Sequence, residues 1–179
     1  MKVTRLLHCA LLGGAIVVLQ SCEQPAPLGV ARHDLVAPVS PVDPVLPSAS
    51  ALLPWCAPLP YDSVTATIGP GGGVLPVGPH TLVFLPQSLD SAVTITAVAP
   101  SDTVSRVRLQ PEGLSFRQPV LLVMSYATCN LLGSTHPMNV AYTTPDLLQI
   151  LDYLPSMDDA GSQTVTGHLK HFSDYAVAW

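Results

Sequence analysis

Apolar and polar positions alternate with a period of two over much of this chain. Val64, Ala66 and Ile68 alternate with Thr65 and Thr67, and Val93, Ile95 and Ala97 alternate with Thr94 and Thr96. Successive side chains of a strand point to opposite faces, so each run predicts a strand with one face in a core and one in water. Val104 and residues 107–109 predict a further strand. Residues 120–126 are nearly continuous apolar and predict a central strand covered on both faces. Val140 with Tyr142, then Leu148 with Ile150 and Leu151, then residues 165–169 and 175–179 complete the series. Turn chemistry separates these runs: Gly69-Pro70-Gly71-Gly72-Gly73, Gly78-Pro79, Pro111-Glu112-Gly113, Gly133-Ser134 and Asp158-Asp159-Ala160-Gly161. No segment shows a sustained helical stripe with caps. Residues 146–154 have room for one or two helical turns, but a strand suits them better. Many short strands at this spacing predict an all-β fold, an antiparallel sandwich or barrel.

The alternation starts only after Tyr61. Nine of the nineteen prolines fall within residues 23–60, and Pro38, Pro41, Pro44 and Pro47 recur every third residue. That spacing favours extended polyproline-like backbone and predicts a tether. Ahead of it, Lys2 and Arg5 precede an apolar run at residues 6–19, and Leu19-Gln20-Ser21-Cys22 closes the run. The run is short of the ~20 residues a membrane span needs. A basic start, a short apolar middle and a small residue before a cysteine resemble the signal of bacterial lipoproteins. The resemblance implies cleavage before Cys22, a diacylglyceryl group on its sulfur and an acyl group on its new amine. It places the protein in the bacterial cell envelope, bound to a membrane through that lipid, on the periplasmic or outer-membrane face. The expected organisation is a signal at 1–21, a lipidated proline-rich linker at 22–60 and a folded domain at 61–179.

Charge narrows the partners. Only 11% of residues are charged. Without Lys2 and Arg5, five basic residues face twelve acidic ones, a formal charge of −7. No basic stripe exists, which argues against nucleic acid and leaves an envelope protein or a glycan as the partner expected. Cysteine use agrees with export. Cys9 lies in the signal and Cys22 takes the lipid, so Cys56 and Cys129 remain as an even pair in an oxidising compartment. They are expected to form a disulfide. Zinc is a weaker alternative, because neither has a second sulfur ligand at short spacing.

A family resemblance rests on the order of several short motifs. Gly72-Gly73-Val74 leads to Leu82-Val83-Phe84-Leu85-Pro86, then to Val93-Thr94-Ile95. Pro111-Glu112-Gly113-Leu114 with Phe116, and Pro119-Val120, come next. His171-Phe172-Ser173 and Tyr175-Ala176-Val177 close the stretch. From about residue 65 to 179 the chain resembles the ZU-five domain, named for zonula occludens and netrin-receptor proteins, in its bacterial exported form. One departure is Gln87-Ser88-Leu89, where the family usually has a Gly-Ala pair. The resemblance implies a β-sandwich that mediates contacts or supports neighbouring domains.

His171-Phe172-Ser173 is the sharpest chemical candidate. In some relatives of that family the tripeptide cuts itself between Phe and Ser. Residues two apart in a strand share a face, so His171 could take the proton of the Ser173 hydroxyl while that oxygen attacks the Phe172 carbonyl. The packing alternative is that Phe172 fills the core while His171 and Ser173 hold a bend. Leu169 and Phe172 both look like core residues although alternation puts them on opposite faces, so a bulge is expected near Lys170-His171.

Other constellations are weaker. His168 and His171 face apart in a regular strand and make a poor metal pair. Asp158-Asp159 with Gly161 lacks the alternating ligands of a calcium loop. The glycines at 69–73 lack the Lys-Ser/Thr ending of a phosphate loop. No metal and no cofactor is expected. Trp55 and Trp179 are the candidate aromatic platforms for a carbohydrate or peptide, and both are also plausible packing residues. The reading favoured is a non-enzymatic envelope lipoprotein displaying a β-sandwich for binding or structural interaction. Self-cleavage at Phe172-Ser173 and a carbohydrate- or peptide-binding sandwich are the alternatives.

Overall fold

A computed structural model describes residues 49–179; the expected signal, the lipidation site at Cys22 and most of the proline-rich run lie outside the described residues. One helical turn, α1 (Ala49–Leu52), is followed by thirteen strands: β1 (Trp55–Cys56), β2 (Asp62–Ile68), β3 (Gly73–Val77), β4 (His80–Phe84), β5 (Val93–Ala99), β6 (Arg106–Gln110), β7 (Ser115–Ser125), β8 (Cys129–Asn130), β9 (Asn139–Thr143), β10 (Ile150–Tyr153), β11 (Ser156–Asp159), β12 (Thr164–His171) and β13 (Asp174–Ala178). All named pairings are antiparallel. A six-stranded sheet has the order β10-β9-β13-β6-β5-β2, and a five-stranded sheet has the order β11-β12-β7-β4-β3. The two sheets form an antiparallel β-sandwich.

Alternation decides which face of each strand is inside. Ile95 and Ala97 of β5 and Val107 and Leu109 of β6 point inward, opposite Leu82 and Phe84 of β4 and Val120, Leu122 and Met124 of β7. On the outer face, Thr65 pairs with Thr96 and Thr67 with Thr94, and each pair shares a hydroxyl hydrogen bond of 2.8 and 3.2 Å. The polar half of the sequence pattern therefore becomes a threonine ladder between β2 and β5. The sheets leave no room for a side chain at Gly167 of β12, where an added Cβ would lie 2.7 Å from the Val140 Cβ of β9.

Several expectations are corrected. Residues 120–126 lie in the middle of their sheet, but only Val120, Leu122, Met124 and Tyr126 are fully buried, and Leu121 and Val123 stay half-covered. The strand covered on both faces is β13, where Tyr175, Ala176, Val177 and Ala178 are all buried. Its second cover comes from the chain ahead of the sandwich. Leu53 packs on Ala141, Ala176 and Ala178, outside the main core, and the Trp179 N–H donates to the Leu52 carbonyl at 2.9 Å. Small alanines on that outer face let a strap of chain lie close against the sheet. The packed body thus takes in residues ahead of Tyr61. Val104 and Leu148, read as strand residues, lie in loops.

The strap is pinned by a disulfide between Cys56 and Cys129, as the cysteine count predicts. These residues face each other across the two-stranded ribbon β1-β8. The Cys56 N–H donates to the Thr103 carbonyl at 2.8 Å and the Ala57 N–H to the Thr128 carbonyl at 2.9 Å.

Candidate functional site

His171, Phe172 and Ser173 form the corner where the chain leaves β12 in one sheet and enters β13 in the other. The expected bulge is present: the pairing of β12 with β7 shifts register between Leu169 and His171. The shift lets Leu169 and Phe172 both enter the core, and both are fully buried. The Phe172 ring meets Phe84 and Phe116 edge-on, with centroids 6.2 and 5.0 Å away. Its N–H donates to the Leu114 carbonyl and its carbonyl accepts from the Gly113 N–H, both at 2.9 Å. The corner is therefore tied to the turn between β6 and β7.

His171 is turned toward oxygens other than the Ser173 hydroxyl. Its Nδ1 lies 3.4 Å from the Phe172 carbonyl oxygen and 3.5 Å from the Tyr175 hydroxyl. The Tyr175 hydroxyl spends its proton on the His171 carbonyl at 2.7 Å. Both neighbours thus present oxygen lone pairs, and the tautomer that suits them carries its proton on Nδ1. Among the described residues no hydrogen bond joins His171 to Ser173. The serine is buried, and its carbonyl accepts from the Leu109 N–H at 3.1 Å. Burial pushes the Tyr175 phenol above its usual range, with Tyr142 adding to the effect.

The bulge also changes the expectation that His168 and His171 face apart. Both line a small cavity of about 70 Å³ with Tyr142, Asp152, Lys170 and Tyr175. Among the described residues no three His, Cys, Asp or Glu groups converge in a metal-binding arrangement. The Asp158-Asp159 turn uses its carboxylates internally. Asp158 accepts from the Tyr126 hydroxyl at 2.6 Å and the Met138 N–H at 3.1 Å. Asp159 accepts from Gly161 and Ser162 N–H groups and the Ser162 hydroxyl, which holds its carboxyl below the usual range.

His80 is a buried histidine that the motifs do not single out. It is 4% exposed and its Nδ1 accepts from the Ser125 N–H at 3.3 Å. Burial pulls its pKa down to about 4. It lines a cavity of about 120 Å³ with Cys56, Pro60, Ala99, Ser105 and Ser125.

The two tryptophans separate. Trp179 is half-covered and packs against the core. Trp55 is 58% exposed. It sits in a groove of about 350 Å³ whose walls are the strap (Leu53, Pro54, Trp55), the loop before β6 (Asp102, Thr103, Val104) and the loop before β10 (Asp146, Leu147, Leu148). Residues 144–149 are locked. The Thr144 N–H donates to the Gln149 carbonyl at 3.0 Å, the Gln149 N–H to Thr144 Oγ1 at 3.1 Å, and the Thr144 hydroxyl to Asp146 Oδ1 at 2.6 Å. Leu147 takes a left-handed φ of 60° and Leu148 stands 71% exposed at the rim. A β-branched-free leucine held in that region is strained and needs such bonds to stay there. The Asp146 carboxyl is held below its usual range, first by the Thr144 hydroxyl and then by the Leu148 N–H. Asp102 is paired with Arg106 at 2.6 Å, and Arg106 also donates to the Pro145 carbonyl at 3.0 Å.

No protein-family model and no curated protein matches this sequence.

Proposed function

We propose that this chain is a non-enzymatic lipoprotein of the bacterial cell envelope. Lipidated Cys22 ties it to a membrane, the proline-rich run is the tether, and a ZU-five-like sandwich is displayed at the far end. The short apolar run ending at Leu19-Gln20-Ser21-Cys22 supports the anchor. The Cys56–Cys129 disulfide fits an oxidising compartment. The observation that carries a binding role is Trp55, an indole more than half exposed at the edge of a groove whose loops are already locked. Tryptophan is enriched at surfaces that a ligand or partner covers. The His171-Phe172-Ser173 corner reads best as packing, because Phe172 completes an aromatic core cluster and His171 Nδ1 serves Phe172 and Tyr175 oxygens.

Two measurements in intact cells test this. Cys22→Ala releases the protein from membranes and abolishes incorporation of labelled palmitate; retention of both would overturn the anchor. A photo-cross-linking side chain at position 148 captures an envelope component, while one at Thr65 on the far end of the sheet does not. Equal capture from both positions, or from neither, would remove the groove as the displayed face.

A further inference from the structure

We infer that the Trp55 groove is a carbohydrate site that takes a neutral sugar ring laid against the indole; this rests on the reading of that groove as the displayed face. Size is the first argument. A groove of about 350 Å³ is at the lower end of small-molecule sites, ~300–1,000 Å³. Its polar groups are the second. The Thr103 hydroxyl and the Asp146 oxygen not used by Thr144 and Leu148 face the groove from two opposing loops, while both oxygens of Asp102 are taken by the Thr103 N–H and Arg106. The nearest guanidinium, Arg106, is already committed to Asp102 and to the Pro145 carbonyl. Among the described residues an anionic ligand meets acceptors there and no free cation, so the fitting ligand donates hydrogen bonds.

Donors are of two kinds, cations and polyols. A cation is recognised by several aromatic faces, and among the described residues this groove has one, Trp55. One of its two carboxylates is neutralised by Arg106, which leaves a weak field for a cation. A pyranose suits the same walls better. Its C–H face lies on the apolar surface of Trp55, Pro54 and Leu148, while its rim hydroxyls reach Asp146 and Thr103. The locked loop at 144–149 keeps the ordering cost of binding low. The disulfide belongs to the site as well, because Trp55 is held in place by the neighbouring Cys56.

The test uses the full oxidised chain in detergent micelles, followed by NMR of the Trp55 indole N–H and of the backbone. The probes are neutral oligosaccharides of glucose, mannose and N-acetylglucosamine, with a lysine-rich and a proline-rich peptide beside them. Saturable shifts confined to residues 53–55, 102–104 and 146–148 with at least one sugar are expected. Trp55→Ala weakens that binding about tenfold or more, Leu148→Ala weakens it less, and Tyr61→Ala, an exposed aromatic outside the groove, leaves it unchanged. Reduction of the disulfide weakens it as Trp55→Ala does. No saturable shift with any of the sugars, shifts elsewhere, or preferential binding of either peptide overturns the sugar assignment. If capture from position 148 persists while every sugar fails, the displayed-face reading stands and only the ligand class is lost.

Discussion

Phe172 is fully buried between Phe84 and Phe116, and its neighbours in sequence are fixed by what that burial requires. Removing the ring leaves a cavity that three strands cannot close. Phe172→Ala is expected to cost about 3–5 kcal/mol in denaturant unfolding. The Phe172-Ser173 bond stays intact under this account: the mature protein gives a single mass, unchanged in tail length by Ser173→Ala, and a species lacking residues 173–179 would reinstate self-cleavage. His80 contributes to the response to acid. Its folded pKa, about 4, lies below the ordinary histidine value of 6.5, so the unfolded chain binds more protons between those values. Stability is therefore full above about pH 7 and falls as pH drops from 6.5 toward 4, by about 3 kcal/mol in all. Asp174 opposes this in part: burial raises its pKa, so its own contribution is lost as pH rises. Unfolding titrations of the native protein and His80→Gln between pH 4 and 7 separate the two, since only the native protein keeps the histidine slope. The residue scale was partly legible in sequence. Leu169 and Phe172 announce the bulge by their apolar character alone, whereas His80 shares the inward face of its strand with Leu82 and Phe84 but its polar, ionisable side chain does not itself signal burial.

At the scale of elements, the informative cases are the strands whose covering the alternation misjudges. Residues 120–126 look two-sided and are one-sided; residues 175–178 are two-sided because the strap at 49–56 covers their outer face. Four consecutive apolar positions at the end of the chain were the available signal, but their cover lies in a proline-rich stretch that reads as linker. The disulfide holds that cover on. With its cysteines 73 positions apart, loop-closure entropy sets a loss of about 4 kcal/mol for Cys56→Ser with Cys129→Ser, measured by chemical unfolding. The same variant becomes susceptible to proteolysis ahead of Tyr61. Between the sheets, Gly167 has no room for a side chain because Val140 occupies the space. Gly167→Ala is expected to destabilise by about 1–3 kcal/mol, and the pair Gly167→Ala with Val140→Ala is expected to recover part of it. Stability curves of the single and double variants check the contact.

For the whole molecule, a proposed lipid anchor and tether precede a sandwich whose Trp55 groove is built jointly by the strap and two loops. That groove was only half legible. Trp55 could be named from sequence as an aromatic candidate, but nothing local places it opposite Leu148 or distinguishes it from Trp179, which packs. What the amino-acid order determined by itself was everything with a short range or a simple count: period-two strands, the turns between them, the bulge at the corner, and a pairing of the two cysteines left after the expected signal and lipid site. What only the tertiary structure decided was which faces are covered twice, where the strap lies and what shares a groove. The physical reason is range. Alternation records that a face is buried, but the identity of its cover depends on contacts such as Leu53 with Ala176, made between residues more than a hundred positions apart, which no local pattern encodes.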